Sequence, residues 1–287
     1  MNLSYYHPRL LSSLVLIDPV IHDPGTSAPA DDAASSSGAQ KSTFRRDRWP
    51  SKTEAKTSFL KSKFYQVWDP RVLDLLVKYG LRRLPTALYP QGSDDSDDSQ
   101  SKDGPVTLTT TKHQEVFTFL RPKFDGADAK GKGLPNRQTH PDLDLKRGDQ
   151  SPFYRSELPR TFNNLQHLRP SALYIFGGQS PLSQSDWRKA KMERTGTGVG
   201  GSGGAEGGKV KEKVFEDVGH LLPMEIPEEC AEAAANFLEK DLDQWRKDEE
   251  VWKKDWESKP KAERSTVSDE WKRNIGGDPR AKSSQKL

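Results

Sequence analysis

The sequence predicts an α/β fold built on a parallel sheet, and three stretches predict it. Leu14–Ile17 is a run of four apolar residues closed by Asp18-Pro19. Ser171–Gly178, SALYIFGG, is a second apolar run and ends in paired glycines. In Lys213–Glu225, KVFEDVGHLLPME, a short strand gives way to Gly219-His220, and a helix follows at once. Uninterrupted apolar runs suit strands covered on both faces, as in a parallel sheet flanked by helices. Glycines at a strand end suit the carboxyl edge of such a sheet, where sites are built. A His delivered from that edge is placed for proton transfer.

The elements follow in order. Residues 1–21 read as the end of a helix, the connection HPRLLSS and the strand LVLIDPV. Residues 25–42 form a Ser/Ala/Gly/Asp tract without periodicity and read as disordered loop. Ser51 and Glu54 have capping-box spacing ahead of SFLKSKFYQVW, read as a helix. Asp69-Pro70 opens a second helix in the N-cap/N1 pattern and Gly80 closes it. The tract 91–104 reads as solvated. Val106–Leu120 is either a strand-to-helix step or one helix, and periodicity does not choose. Residues 121–152 read as loose, and SELPRTFNNLQHL as a helix feeding the strand SALYIFGG. Beyond about residue 240 the chain is highly charged, with Trp245, Trp252 and Trp256 spaced for one helical face.

Bulk properties narrow the function. Of 287 residues, 32% are hydrophobic and 30% charged, and mean hydropathy is −0.88. That is too polar for one compact domain of this length, so part of the chain is expected to be loop or disordered. The net charge is +3, with both signs interspersed, which does not fit a nucleic-acid footprint. No stretch approaches the ~18 apolar residues of a membrane span, and the N-terminus lacks the apolar core of a signal peptide. A single cysteine rules out an internal disulfide framework. Cys230 shares a helical face with Ile226, Ala233, Ala234 and Phe237, which reads as core rather than reactive thiol. His7, His22, His113, His140 and His167 have no metal-ligand spacing, so neither a metal nor a cofactor is expected.

Two glycine-rich strings match motifs by letter. Gly200–Gly204 satisfies G-x-S-x-G around Ser202, and Gly196, Gly198 and Gly201 spell G-x-G-x-x-G. The first requires a strained turn between an apolar strand and a helix, and the second a strand opening a dinucleotide-binding unit. Neither context is present, so residues 195–208 read as a flexible loop. Trp49, Phe64, Tyr65, Trp68 and Phe117 are candidates to line an apolar pocket, with packing among themselves as the alternative.

Taken together, HPRLLSSLVLIDPVI, RRDRWPSKTEA, WDPRVLDLLVKYGLR, VTLTTTKHQE, LRPSALYIFGG, RTGTGVGGSGG and VGHLLPME resemble fungal peroxisomal α/β-hydrolases of the lipase-like and toxin-biosynthesis group. The resemblance implies a partial α/β-hydrolase fold with a large, mainly helical cap. It divides the chain into 1–21, a helix end and core strand; 22–168, the cap; 169–240, the core bearing the histidine; and 241–287, a charged tail. It implies hydrolysis of an ester or related bond in a small apolar substrate, by a nucleophile, a His and an acid. His220 takes the catalytic-histidine position. The usual acid position after the penultimate strand holds Ser180, which cannot supply a negative charge. A variation of the fold puts the acid after the preceding strand, where Asp18 stands. The alternative for Asp18 is a structural cap, and Asp186 is a reserve. No elbow serine precedes His220 in a qualified context, so the expectation is a truncated form that lacks turnover by itself. The rival readings are a non-catalytic binding or scaffold protein, an epoxide or thioester hydrolase, and an enzyme recruiting Ser202. The glycine-rich loop, by the same resemblance, is expected near the site. The C-terminal Gln285-Lys286-Leu287 resembles the peroxisomal address S-K-L, implying an import receptor as partner.

Overall fold

The computed structural model describes residues 1–7, 10–22, 38–90, 103–122, 138, 140–142, 153–155 and 157–276. Most of the tracts 25–42, 91–104 and 121–152, and the tail tripeptide Gln285–Leu287, lie outside the described residues. Contacts divide the chain into two units, Met1–Phe237 and Leu238–Leu287.

In the first unit, strands β1 (Ser13–Ile17), β7 (Ser171–Gly177) and β8 (Val210–Phe215) form a parallel sheet in the order β1-β7-β8. Ser13 pairs with Ser171 and Ile17 with Ile175, while Ala172 pairs with Val210 and Gly177 with Phe215. All three strands therefore finish at one edge. The middle strand is buried along its whole length. Tyr174 and Phe176 face one cluster with Leu168 and Val210, and Leu173 and Ile175 face another with Leu222, Cys230 and Phe237. Burying side chains of this size stabilises by about 1.5–3 kcal/mol each, which makes β7 the anchor of the sheet. The sequence expects β1 to be central as well. Among the described strands it stands at one end of the sheet order, half-buried, with Ile17 36% exposed.

Between β1 and β7 lies the cap. A helix covers Gly38–Phe44, so the expected disordered loop over 25–42 gives way to helix at its end. The single helix expected over SFLKSKFYQVW is two, Lys52–Leu60 and Lys63–Gln66, with the break at Lys61-Ser62. The Ser51 hydroxyl accepts from Glu54 N–H and starts the first of these. Asp69 caps Pro70–Tyr79, and Gly80 ends it. Val106–Leu120 is a strand followed by a helix. Strand β4 (Val106–Leu108) pairs antiparallel with both β2 (Arg48–Trp49) and β3 (Leu81–Arg83), and helix Lys112–Phe119 opens on a capping box of Thr111 and Gln114. Trp49, Ala55, Phe59, Leu73, Leu81, Val106 and Leu108 make the cap's own core. Strands β5 (Arg121–Pro122) and β6 (Phe153–Tyr154) pair antiparallel.

Helix Glu157–Asn164 feeds β7 through a short turn, and helix Ser185–Arg194 connects β7 towards β8. After β8, a short helix Leu222–Glu225 leads into Pro227–Ser258. Cys230 and Phe237 are buried there, with Ile226 and Ala233 packed beside them, and burial pushes the Cys230 thiol up. In the second unit, Trp252 and Trp256 stack in parallel at 6.0 Å. No helix among the described residues is long and apolar enough to cross a membrane.

Candidate active site

The parallel register brings the ends of β1, β7 and β8 together. Asp18 is the first residue after β1, and its N–H donates to Ile175 O at 2.7 Å, holding it against β7. Its φ is +39°, a left-handed conformation that a non-glycine residue adopts at some cost, Asp and Asn least. The bend turns the carboxylate inward, where Asp18 is 2% exposed.

Three side chains meet that carboxylate. His220 Nδ1 lies 2.6 Å from Oδ2, across 202 residues of sequence. The Ser180 hydroxyl donates to Oδ2 at 2.5 Å, and the Ser183 hydroxyl donates to Oδ1. Burial opposes the Asp18 charge, but the bonds from His220, Ser180 and Ser183, with the charge of His220, outweigh it and hold the carboxyl below its ordinary value. An ionised carboxylate only accepts, so His220 donates through Nδ1–H, and in the neutral ring Nε2 carries the lone pair. The His220 side chain is 39% exposed against 1% for Asp18, so the ring reaches from a dry carboxylate into an open space.

Backbone contacts fix His220. Gly178 N–H donates to Phe215 O, and Gln179 N–H to Val218 O, lacing the loop after β7 to the loop after β8. The paired glycines are needed for that approach. A Cβ on Gly177 would lie 2.1 Å from Gly219 O, and one on Gly178 would lie 2.5 Å from Glu216 O. Gly219 N–H in turn donates to Glu225 Oε2 at 3.2 Å, so the final Glu of GHLLPME clasps the loop. The cap touches the two helices that follow this loop, where Asp69 N–H donates to Met224 O at 2.8 Å and Arg71 pairs with Glu228 at 2.6 Å.

Other expected residues fall elsewhere. Asp186 is exposed in the first turn of Ser185–Arg194 and is not bonded to His220. The loop 195–208 is not a loose chain but a series of bonded turns. Gly196 N–H donates to Leu165 O, Ser202 N–H to Leu168 O and Lys209 N–H to Gly204 O. Leu165 and Leu168 precede β7, so the loop sits at the amino edge of the sheet. The length of β7 puts about 20 Å between the two edges. The glycine-rich loop is therefore not beside His220, and Ser202 is out of its reach. Trp49 and Tyr65 pack in the cap, each against Phe59, whereas Phe64 and Phe117 are 54% and 60% exposed. Sequence reasoning missed Ser183 and Glu225, and it read Ser180 as a lost acid. The signal available was positional, since Ser180 follows β7 at the same sheet edge where Asp18 follows β1.

No protein-family model matches the chain. The type I acyl-CoA thioesterase mpaH of Penicillium brevicompactum is 35% identical over 269 residues, 90% of this chain and 60% of that protein. The abhydrolase domain-containing protein AFT2-1 of Alternaria alternata is 31% identical over 242 residues, 84% of this chain and 78% of that protein. The chain thus spans about 60% of the length of its thioesterase relatives. The crystal structure of the peroxisomal alpha-beta-hydrolase Lpx1 from Saccharomyces cerevisiae superposes with a TM-score of 0.49 at 13% identity, over 83% of this chain and 49% of that one. With its match to the Alternaria abhydrolase proteins extending over more than three quarters of their length, this chain belongs to the α/β-hydrolase family.

Proposed function

We propose that Asp18 and His220 are the acid and the base of a hydrolase site that cleaves an ester-like acyl bond, and that the bond is an acyl thioester. The observation that carries this reading is the 2.6 Å bond from His220 Nδ1 to Asp18 Oδ2 beside an open Nε2. Nε2 takes the proton of an attacking hydroxyl as its oxygen bonds to the acyl carbon. Asp18 stabilises the imidazolium that forms, and Nε2 then returns the proton to the departing sulfur or oxygen. The thioester assignment is supported by the Penicillium relatives, which are named type I acyl-CoA thioesterases.

Among the described residues no hydroxyl or thiol is hydrogen-bonded to Nε2. Ser180 and Ser183 both donate to Asp18, and Ser202 lies at the far edge. We therefore expect the chain by itself not to form an acyl-enzyme. This observation also favours a second reading, in which the chain binds an acyl compound without turning it over. The test combines a serine-directed fluorophosphonate probe with thiol release from acyl-CoA thioesters. The expected result is no covalent labelling, with any thiol release above buffer lost in His220→Ala. Release that persists in His220→Ala refutes the acid–base reading. Labelling abolished in Ser202→Ala returns Ser202 as a nucleophile. Absence of release, with binding of the thioester retained, selects the second reading. We further propose a peroxisomal location through Gln285-Lys286-Leu287 and its import receptor.

A further inference from the structure

The loop after β7 carries Ser180 and Ser183 where an acid is expected, and both are spent on Asp18. They are 4% and 3% exposed, and between them their hydroxyls donate to both carboxylate oxygens. Ser180 Oγ also accepts from Leu182 N–H at 3.1 Å, and Ser183 N–H donates to Ser180 O at 3.1 Å, so the two hydroxyls are fixed by the turn itself. The helix that follows this turn contributes Lys191. Its side chain is fully buried, its Nζ has no hydrogen-bond partner among the described residues, and it lies 5.5 Å over the Phe176 ring. A buried, unpaired ammonium is costly and persists where it balances a buried charge. The charge acting on it favourably is that of Asp18, while Arg188 opposes it.

We propose that Ser180 and Ser183 are positioning residues. They form a cradle that fixes Asp18 as an oriented anion for His220. The segment that would otherwise bring the acid thus serves an acid brought by the neighbouring strand. Two donors from one turn leave the carboxylate a single orientation in which Oδ2 still meets the ring. Without them the carboxylate is free to rotate, and the Nδ1–H form of His220 loses its preference. His220, from the loop after β8, is the charged group that acts on Asp18, and Lys191, from the helix after β7, feels the Asp18 charge while Arg188 opposes it. Burial pushes the Lys191 amine down to about 8, with the Asp18 charge acting the other way. Lys191 therefore remains largely protonated below that pH.

This proposal rests on the acid–base reading of Asp18 and His220, but its test needs neither a nucleophile nor substrate. In the full chain at mildly alkaline pH, ring-nitrogen NMR reads the tautomer of His220. Titration of the Asp18 carboxyl carbon reads its midpoint. Wild type is expected to hold His220 as Nδ1–H, with the Asp18 midpoint below the ordinary carboxylate value. Ser180→Ala with Ser183→Ala is expected to mix the tautomers and to raise the Asp18 midpoint by about one unit or more. A folded double variant that retains the wild-type tautomer and midpoint overturns the proposal. If the double variant does not fold, each single variant is judged by the same criterion. A wild-type chain that lacks the Nδ1–H form refutes the underlying acid–base reading instead, so the two failures are distinguishable.

Discussion

Replacing Asp18 by Asn keeps the shape of the side chain and removes its charge. The carboxylate receives three donors, Ser180 and His220 on Oδ2 and Ser183 on Oδ1. An amide offers one accepting oxygen and one donating nitrogen, so the variant cannot accept from all three. With nitrogen at the Oδ2 position, His220 Nδ1 must accept. Its proton then moves to Nε2, where it blocks the base. With nitrogen at the Oδ1 position, the Ser183 hydroxyl must accept instead of donate, and its own proton loses its acceptor in a buried site. One unmet buried group costs about 1–3 kcal/mol of stability. The wrong tautomer costs about 10⁴-fold in turnover for a triad of this kind. The sign with pH follows from Asp18 being held below its unfolded value. Its charge contributes stability above about pH 3.9, the ordinary value, and that stability is lost as pH falls through the lower folded midpoint. Urea unfolding of both proteins from about pH 2 to about pH 7, a range that brackets the ordinary value, measures this. Asp18→Asn is expected to give a destabilised chain that lacks the acid-side fall contributed by this carboxylate. If Asp18→Asn matches wild type in stability at every pH, the carboxylate is not the buried anion inferred here.

Gly177→Ala places a Cβ 2.1 Å from Gly219 O. Thermal unfolding should show a loss of about 1–3 kcal/mol, with the His220–Asp18 bond lost from the NMR spectrum; a wild-type melting curve would contradict the close approach. Lys191→Met should stabilise the chain at neutral pH, because it removes a buried charge. The advantage should shrink as pH rises from about 8, the folded Lys191 value, towards the ordinary lysine value, since wild type then gains stability as the unfolded chain holds the extra proton; a pH-independent difference in urea unfolding would contradict this. A fluorescent protein ending in Gln285-Lys286-Leu287 should form peroxisomal puncta in a fungal host, and a diffuse signal beside a working S-K-L control would remove that location.

What the sequence made legible was whatever burial writes into composition. SALYIFGG is apolar throughout because both faces of β7 are covered. Asp69-Pro70 and Gly80 mark a helix because caps are local chemistry. Thr111 and Gln114 carried the same kind of signal and would have resolved the strand-to-helix step at Val106–Leu120. The pairing of Asp18 with His220 was readable through the parallel order of strand ends, since both residues follow strands that finish at one edge. Residues whose role is set by a distant partner were not readable. Ser183 looks like any loop serine until it is seen on a carboxylate 165 residues away. The glycine-rich loop misled for the opposite reason. Glycine composition suggests looseness and a phosphate or nucleophile turn, whereas here it lets several turns bond back to the segment before β7. The place of β1 at one end of the described strand order was also hidden, because four apolar residues describe covered faces and say nothing about the strand's hydrogen-bonding edges.

Everything proposed for the site depends on Asp18 fixing His220 with its proton on Nδ1 and its Nε2 open. Ring-nitrogen NMR of His220 in the full chain, beside Asp18→Asn, reads that arrangement without an intervening assumption about substrate. Nδ1–H should be the dominant neutral form in wild type and should be lost in the Asn variant. A wild-type His220 with its proton on Nε2, unchanged by Asp18→Asn, would contradict it.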